Sequence, residues 1–358
     1  MAGLNSAFFD LYAVEGMTET RLKRLLERFR TTEAIFEASD DELLQVERAD
    51  EKLVRALRGY HRSPELSAEI EAAQKAGVTT VSYLDDEFPE NLKSVPHMPP
   101  VLFVRGRLEA LDRLAVAVVG TRRATHYGAQ TAERLARELA QAGVTVVSGL
   151  ARGIDTYAHK GALAGGGRTI AVLGCGIDQC YPPENRKLLE QIVGNGAVLT
   201  EFPPGVSPLA MNFPKRNRIV SALARAVIAV EAGEKSGVLN TVEWAVEQGR
   251  TVFAVPGRLT DAQSVGTNRL LREGASPLTA VEDVLAELGV SSKPDKRTPV
   301  EVGVELKPVL DYLGADPLHI DEISEGLGLP MARLLSLLLE LELKGAVKQL
   351  PGKFFVRS

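Results

Sequence analysis

Three patterns along the chain predict an α/β protein: a Rossmann-like, doubly wound parallel sheet with an N-terminal helical domain before it and a C-terminal winged helix after it. Apolar residues recur at helical spacing from Phe8 to about Ala76, and short β-branched runs alternate with helical stretches over 77–290. Three helical segments and a hairpin then close the sequence. A chain of 358 residues allows roughly two to three domains at about 150 residues each.

The first domain, 1–76, carries Leu22, Leu25, Leu26 and Phe29 on one helical face, with short turns at 14–17 and 30–32. Val14-Glu15-Gly16-Met17-Thr18, leading into Arg21, Lys23 and Arg24, has the spacing of a helix-hairpin-helix within a SAM-like domain. The glycine turn of that motif lets backbone N–H groups meet phosphates. An ordinary helix cap with a solvated charged face accounts for the same residues.

In the second domain, 77–290, strands are expected at 114–119, 144–147, 169–173, 197–200, 226–230 and 251–255, with helices such as 128–142 and 237–248 between them. The strands are apolar without alternation. Both of their faces must be covered, which is the condition of a parallel sheet between two helical layers. The polar, proline-containing stretch 291–302 reads as a linker. In the third domain, 303–358, helices at 306–313, 319–325 and 330–344 precede a hairpin over 346–356 that turns at Pro351-Gly352, the order of a winged helix.

Composition narrows the functional classes. With 45% hydrophobic and 25% charged residues the chain is an ordinary soluble globular protein, and its net charge of -5 rules out coating duplex DNA by global attraction. A nucleic-acid site must be a local patch. Cys175 and Cys180, the two cysteines, are too few for a disulfide framework, so a reducing cytoplasm is expected. The first ten residues lack the features of a signal peptide, and no apolar run nears the roughly 18 to 20 residues of a membrane span.

In an open parallel sheet, ligands sit outside the carboxyl ends of the strands. The turns expected there are Gly120-Thr121-Arg122-Arg123, then Ser148-Gly149-Leu150-Ala151-Arg152-Gly153-Ile154-Asp155, then Gly174-Cys175-Gly176. They continue with Glu201-Phe202-Pro203-Pro204 and the basic loop Phe213-Pro214-Lys215-Arg216-Asn217-Arg218, then Glu231-Ala232 with Ser236-Gly237, and Pro256-Gly257. A dinucleotide fingerprint needs three spaced glycines after the first strand, yet that turn holds arginines where the second and third should stand. Glycine turns feeding helix N-termini, with arginines beside them, still suit phosphates. Ion pairing of these arginines with Glu201, Glu231 and Asp155 is the competing account. Phe202 and Phe213, with Tyr127, Tyr157 and Tyr181 on the same loops, add the flat surfaces on which an unpaired strand stacks its bases, or else anchor the loops. No metal-ligand set, nucleophile elbow or P-loop is present, and His126 and His159 read as loop or cap residues.

Taken together, Val119-Gly120-Thr121-Arg122-Arg123 with Tyr127-Gly128, Ser148 to Asp155 with His159, and Phe213 to Ser221 resemble the bacterial DNA-processing family DprA (Smf). Val230-Glu231-Ala232, Ser236-Gly237 with Thr241, and Val255-Pro256-Gly257 extend the resemblance over the whole sheet domain. It implies a mediator that binds single-stranded DNA, protects incoming DNA in natural transformation and loads the RecA recombinase, working as a homodimer without cofactor or turnover. Carried over by motif, the DNA site is Gly120, Thr121, Arg122, Arg123, Ser148, Gly149, Arg152, Phe213, Lys215, Arg216, Asn217, Arg218, Ser236 and Gly237.

Over 303–358 six basic residues stand against eight acidic ones, and the expected third helix is mostly leucine, so this domain is expected mainly to contact protein, or to pack against its own chain, rather than to bind DNA. An alternative for the middle domain is a nucleotide hydrolase of the LOG-like group, whose helix carries a catalytic glutamate. Ser236 to Glu243 echoes that arrangement without the preceding Pro-Gly-Gly.

Overall fold

In the computed structural model, which describes residues 3–95, 97–290, 303, 305–314 and 317–357, the β-branched runs of the middle of the chain form one nine-stranded sheet. Its strands are β1 (Val78–Ser82), β2 (Val101–Gly106), β3 (Ala115–Val119), β4 (Thr145–Ser148) and β5 (Thr169–Val172). They continue with β6 (Gly196–Thr200), β7 (Ala226–Ala229), β8 (Thr251–Ala254) and β9 (Ser276–Pro277). The order across the sheet is β1-β2-β6-β5-β4-β3-β7-β8-β9.

From β6 to β9 every pairing is parallel. All five residues of β3 are buried, because helices cover both faces. Val116 and Val118 pack with Leu135 and Leu139 of helix His126–Gln141 and with Ala158 of helix Ile154–Ala164. Ala115, Ala117 and Val119 pack with Ile219 of helix Asn212–Leu223 and Val242 of helix Val238–Glu247. Chain order reverses between β3 and β7, which is the switch point where such sheets open a crevice.

One edge departs from the expected parallel sheet. β1 pairs antiparallel with β2, and β2 antiparallel with β6. Between β1 and β2 lies only the short helix Glu90–Lys93, which cannot make the long crossover that a parallel pair requires.

The N-terminal helices are Ala7–Ala13, Glu19–Phe29, Thr32–Glu37, Asp40–Leu44, Glu51–Arg58 and Pro64–Lys75. Five of them start on a side-chain cap: Thr18, Thr31, Ser39, Asp50 and Ser63 each accept the backbone N–H three residues on. Gly16 closes the first turn at φ +82, in the left-handed region that favours glycine. Leu22, Leu25, Leu26 and Leu43 form a core that also takes in Val101 of β2, and Phe9 meets Phe103 of β2 edge to face at 5.2 Å. Packing therefore runs across position 76, and these helices and the sheet make one compact unit.

The second unit is a winged helix in its own right. Helices Lys307–Tyr312, Ile320–Leu327 and Met331–Leu343 precede a hairpin of β11 (Val347–Leu350) and β12 (Phe354–Arg357), and the two-residue β10 (Leu318–His319) pairs with β12. Val309, Ile323, Leu334, Leu338, Leu341, Val347 and Phe355 fill its core. The expected linker, 291–302, lies outside the described residues. Among the described residues no helix is long and apolar enough to cross a membrane.

Candidate nucleic-acid interface

At the switch point the carboxyl ends of the strands open into a cleft of about 480 Å³. Gly120 and Arg122 enter it from the turn after β3, and Gly149, Ala151 and Asp155 from the turn after β4. Phe213, Arg216 and Asn217 come from helix Asn212–Leu223, and Ser236 and Gly237 stand ahead of helix Val238–Glu247. Eight of the fourteen residues expected from sequence thus share one cleft. Thr121, Arg123, Ser148, Arg152, Lys215 and Arg218 do not line it.

The run 213–218, expected as a loop, is helical. Pro214 sits in the first turn, where a missing N–H costs nothing, and Ile219, Val220 and Leu223 bury the helix against the sheet. This conversion decides where each charge points. Arg216 is only 4% exposed, and it donates to the Val172 carbonyl. Burial pulls its guanidinium below the usual arginine range, partly offset by Asp155. Asp155 in turn accepts the N–H groups of Gly149 and Ala151 at 3.2 and 3.3 Å, and burial pushes its carboxyl up against the pull of Arg216. Gly149 is required by close approach: a Cβ there would stand 2.1 Å from Arg216 Nη1. At Gly120 a Cβ would stand 2.3 Å from Ile154 Cγ1.

Arg218 is also buried but does not line the cleft. It pairs with buried Glu201 and, at 3.3 Å, with Glu19 of the N-terminal helices. Burial raises the Glu201 carboxyl while Arg218 holds it down. Ser148 is fully buried and donates to the Val118 carbonyl at 2.7 Å. Arg152 is exposed and paired with Glu184. The Glu231 carboxylate is taken up by the start of a helix: it accepts the Thr125 N–H at 3.0 Å, and the Thr125 hydroxyl oxygen accepts the Gly128 N–H at 3.0 Å to start helix His126–Gln141. His159 is buried behind the cleft with Nδ1 2.7 Å from Thr169 Oγ1, and burial lowers its pKa to about 3.

Of the six cations in the expected site, Arg122, Arg123 and Lys215 are the exposed ones with no carboxylate partner among the described residues. Arg122 holds its guanidinium carbon 5.0 Å from the centre of the Phe213 ring. Arg123 and Lys215 are exposed. Tyr181, an aromatic left outside the expected site, also lines the cleft, its ring 5.5 Å from Phe213 and tilted by 46°. Asn240 and Thr241 complete the wall from the first turn of their helix; Thr241 belongs to a motif read in the sequence, whereas only three-dimensional proximity identifies Asn240. The surface offered is a partly exposed aromatic pair rimmed by long-armed cations, with backbone N–H groups at two helix starts. Such a surface can hold phosphates and stack flat rings at once.

Glu243, the glutamate of the hydrolase alternative, is absent from this cleft. It lines a separate hollow with Val246, Arg250 and Arg269.

Comparison with known proteins gives concordant results. Residues 79–289 match the family described as DNA recombination-mediator protein A, and residues 293–353 match the family described as DprA winged helix domain. The chain is similar to Protein Smf of Synechocystis, with 32% identity over 100% of both chains. Its fold is similar to the crystal structure of DNA processing protein A from Streptococcus pneumoniae, at TM-score 0.67 and 37% identity, covering 80% of this chain and 99% of that one. A structure whose description concerns the single-stranded DNA binding mode of DNA processing protein A from Helicobacter pylori matches at TM-score 0.54 and 35% identity, covering 59% of this chain and 95% of that one.

Proposed function

The chain belongs to the DNA recombination-mediator protein A family, and we propose from the cleft geometry that it binds single-stranded DNA across the switch point of the sheet. The observation that carries this reading is the placing of the unpaired Arg122 guanidinium over the Phe213 ring at the mouth of the cleft. Arg122, Arg123 and Lys215 take phosphates, Phe213 offers a stacking face, and Gly120, Thr121, Ser236 and Gly237 bring backbone groups close to the strand. Arg216 and Asn217 form the wall. Gly149 makes room for Arg216, and Ser148, Arg152 and Arg218 hold the surrounding elements in place.

Bound strand is then protected and handed to RecA during natural transformation, with the protein acting as a homodimer in the cytoplasm. This is a binding function that uses no cofactor and turns over no substrate. Against the hydrolase reading stands the position of Glu243, whose carboxylate faces a hollow away from the phosphate-binding turns. The test is a gel or filter comparison of single-stranded and duplex oligonucleotides over a range of salt. Single strands should bind more tightly at every salt, and equal binding of both forms would overturn the proposal.

A further inference from the structure

Helix Asn212–Leu223 carries Phe213, Arg216 and Asn217 to the cleft, yet no side chain caps its start. Its far half is pinned by Ile219, Val220 and Leu223 in the core of the sheet. The half that meets DNA is held by two arginines. At about 100° per residue, Arg216 and Arg218 leave the helix on nearly opposite sides. Arg216 is held by the Val172 carbonyl of β5. Arg218 is held by two carboxylates, and one of them, Glu19, belongs to the N-terminal helices.

Arg218 Nη2 reaches the Glu201 carboxylate and, at 3.3 Å, Glu19 Oε2. Glu201 alone neutralises Arg218, so Glu19 adds a second negative charge to a pair already balanced. Its own contact with the Glu201 carboxyl is what lets it stay. Ionised carboxylates only accept, so two of them in hydrogen-bonding contact must hold a proton between them. Burial pushes the Glu201 carboxyl up, Arg218 holds it down, and the charge and hydrogen bond of Glu19 push it up again. The hydroxyl of Tyr12, from helix Ala7–Ala13, lies buried against the same three groups. Arg218 Nη1, Glu201 Oε1 and that hydroxyl find no hydrogen-bond partner among the described residues, so the cluster has none to spare when Glu19 leaves. We infer that Glu19 is a positioning residue for the DNA cleft: by gripping Arg218 together with Glu201, it lets the N-terminal helices hold the DNA-binding half of helix Asn212–Leu223 in place. The Glu19 side chain is 42% exposed against 1% for Glu201, so Glu19 is the one to leave when the shared proton is lost. A carboxyl raised in the fold keeps its proton on the neutral side of that raised value and loses it on the alkaline side, so the grip loosens as pH rises.

The consequence for DNA rests on the proposed cleft, and two readouts keep the two apart. Hydrogen exchange of residues 212–218, read by mass spectrometry on the full chain without DNA, follows the helix itself. Glu19→Ala should speed exchange there about threefold at neutral pH. Glu19→Gln should match the parent, because its amide oxygen still accepts from Arg218 and its amide N–H still donates to Glu201. In both variants Glu201 keeps its pairing with Arg218, so the fold is retained. Fluorescence anisotropy with a short labelled single strand reads the consequence. Glu19→Ala should bind about three- to fivefold more weakly than the parent at about pH 7, with Glu19→Gln at the parent's level. Toward about pH 9 the parent should fall to the Glu19→Ala level while Glu19→Gln holds its affinity. Equal exchange in the parent and Glu19→Ala overturns the inference, whatever the DNA result. So does a Glu19→Gln variant that exchanges and binds like Glu19→Ala. A parent that binds no single strand overturns the reading of the cleft instead, and the exchange rates then decide the grip by themselves.

Discussion

Replacing Arg122 by alanine separates the phosphate contacts of the cleft from its stacking contacts. Three exposed cations on the elements that build the cleft, Arg122, Arg123 and Lys215, have no carboxylate partner among the described residues, while Arg152, Arg216 and Arg218 are engaged within the protein. Single-strand binding that neutralises three phosphates gives a log-log salt slope of about -2, at roughly -0.7 per phosphate. Raising salt from about 50 to about 500 mM should then weaken the parent roughly 130-fold and the variant, at slope about -1.4, roughly 25-fold. Loss of one charge-assisted contact together with the ring contact costs about 2 kcal/mol in total. The variant should therefore bind about thirtyfold more weakly at the lower salt and about sixfold more weakly at the higher one. Fluorescence anisotropy with a short labelled oligothymidine reads both numbers. Phe213→Ala is the contrasting control: it should lose about 1 to 3 kcal/mol of stacking with the slope unchanged. If Arg122→Ala weakens binding by the same factor at both salts, or not at all, Arg122 does not meet a phosphate and the reading of the cleft is wrong.

Three other outcomes follow from the same geometry. Arg218→Met leaves Glu201 buried without its counter-charge, which costs about 3 to 5 kcal/mol; calorimetry at pH 7 should show a melting point lower by roughly 6 to 20 °C, with an unchanged salt slope for DNA. His159 stays neutral in the fold down to about pH 3 because it is buried, whereas an unfolded histidine takes its proton near 6.5. Between those values the unfolded chain holds the extra proton, so stability is full above about pH 6.5 and falls as pH drops toward 3; His159→Gln should be less stable than the parent at pH 7 in urea titrations, with the gap closing by about pH 4. Removal of 291–358 should lower single-strand affinity less than tenfold in the same anisotropy assay, since the acidic winged helix offers the strand little; a larger loss would place part of the DNA site there.

The sheet domain was legible from its residues because apolar β-branched runs without polar alternation have one stable setting, between two helical layers. The rim was legible for the same reason, since topology alone sends every turn after a parallel strand to one side. The helix at Asn212–Leu223 was hidden by Pro214, which reads as a loop residue unless it falls in the first turn. Which arginines stay free was not readable at all. Glu201 and Asp155 stood among the expected partners, but Arg218 finds Glu201 across 17 residues and Glu19 across 199, and Arg216 is held by the last carbonyl of β5, so local sequence does not say which arginine each carboxylate takes. The antiparallel edge escaped because Val78–Ser82 and Val101–Gly106 are joined without a helix long enough to mark a unit. The two-residue β10 is too short for any period to register.

Sorting the charges by depth changes what the basic rim can do. Arg216 and Arg218 are matched by Asp155, Glu201 and Glu19, so the deeper layer contributes rigidity and little long-range attraction. On the proposed reading the cleft draws a polyanion through its outer layer of Arg122, Arg123 and Lys215, on a chain whose net charge is -5. Three phosphates and one aromatic pair make a modest site, and a rigid duplex cannot bend its bases onto Phe213 without unpairing. A flexible strand can, and it can reach a second cleft. Two linked clefts then bind with an effective concentration set by the strand between them, which multiplies affinity by orders of magnitude without any new contact. The weakness of a single cleft is thus what would make strand length decide binding.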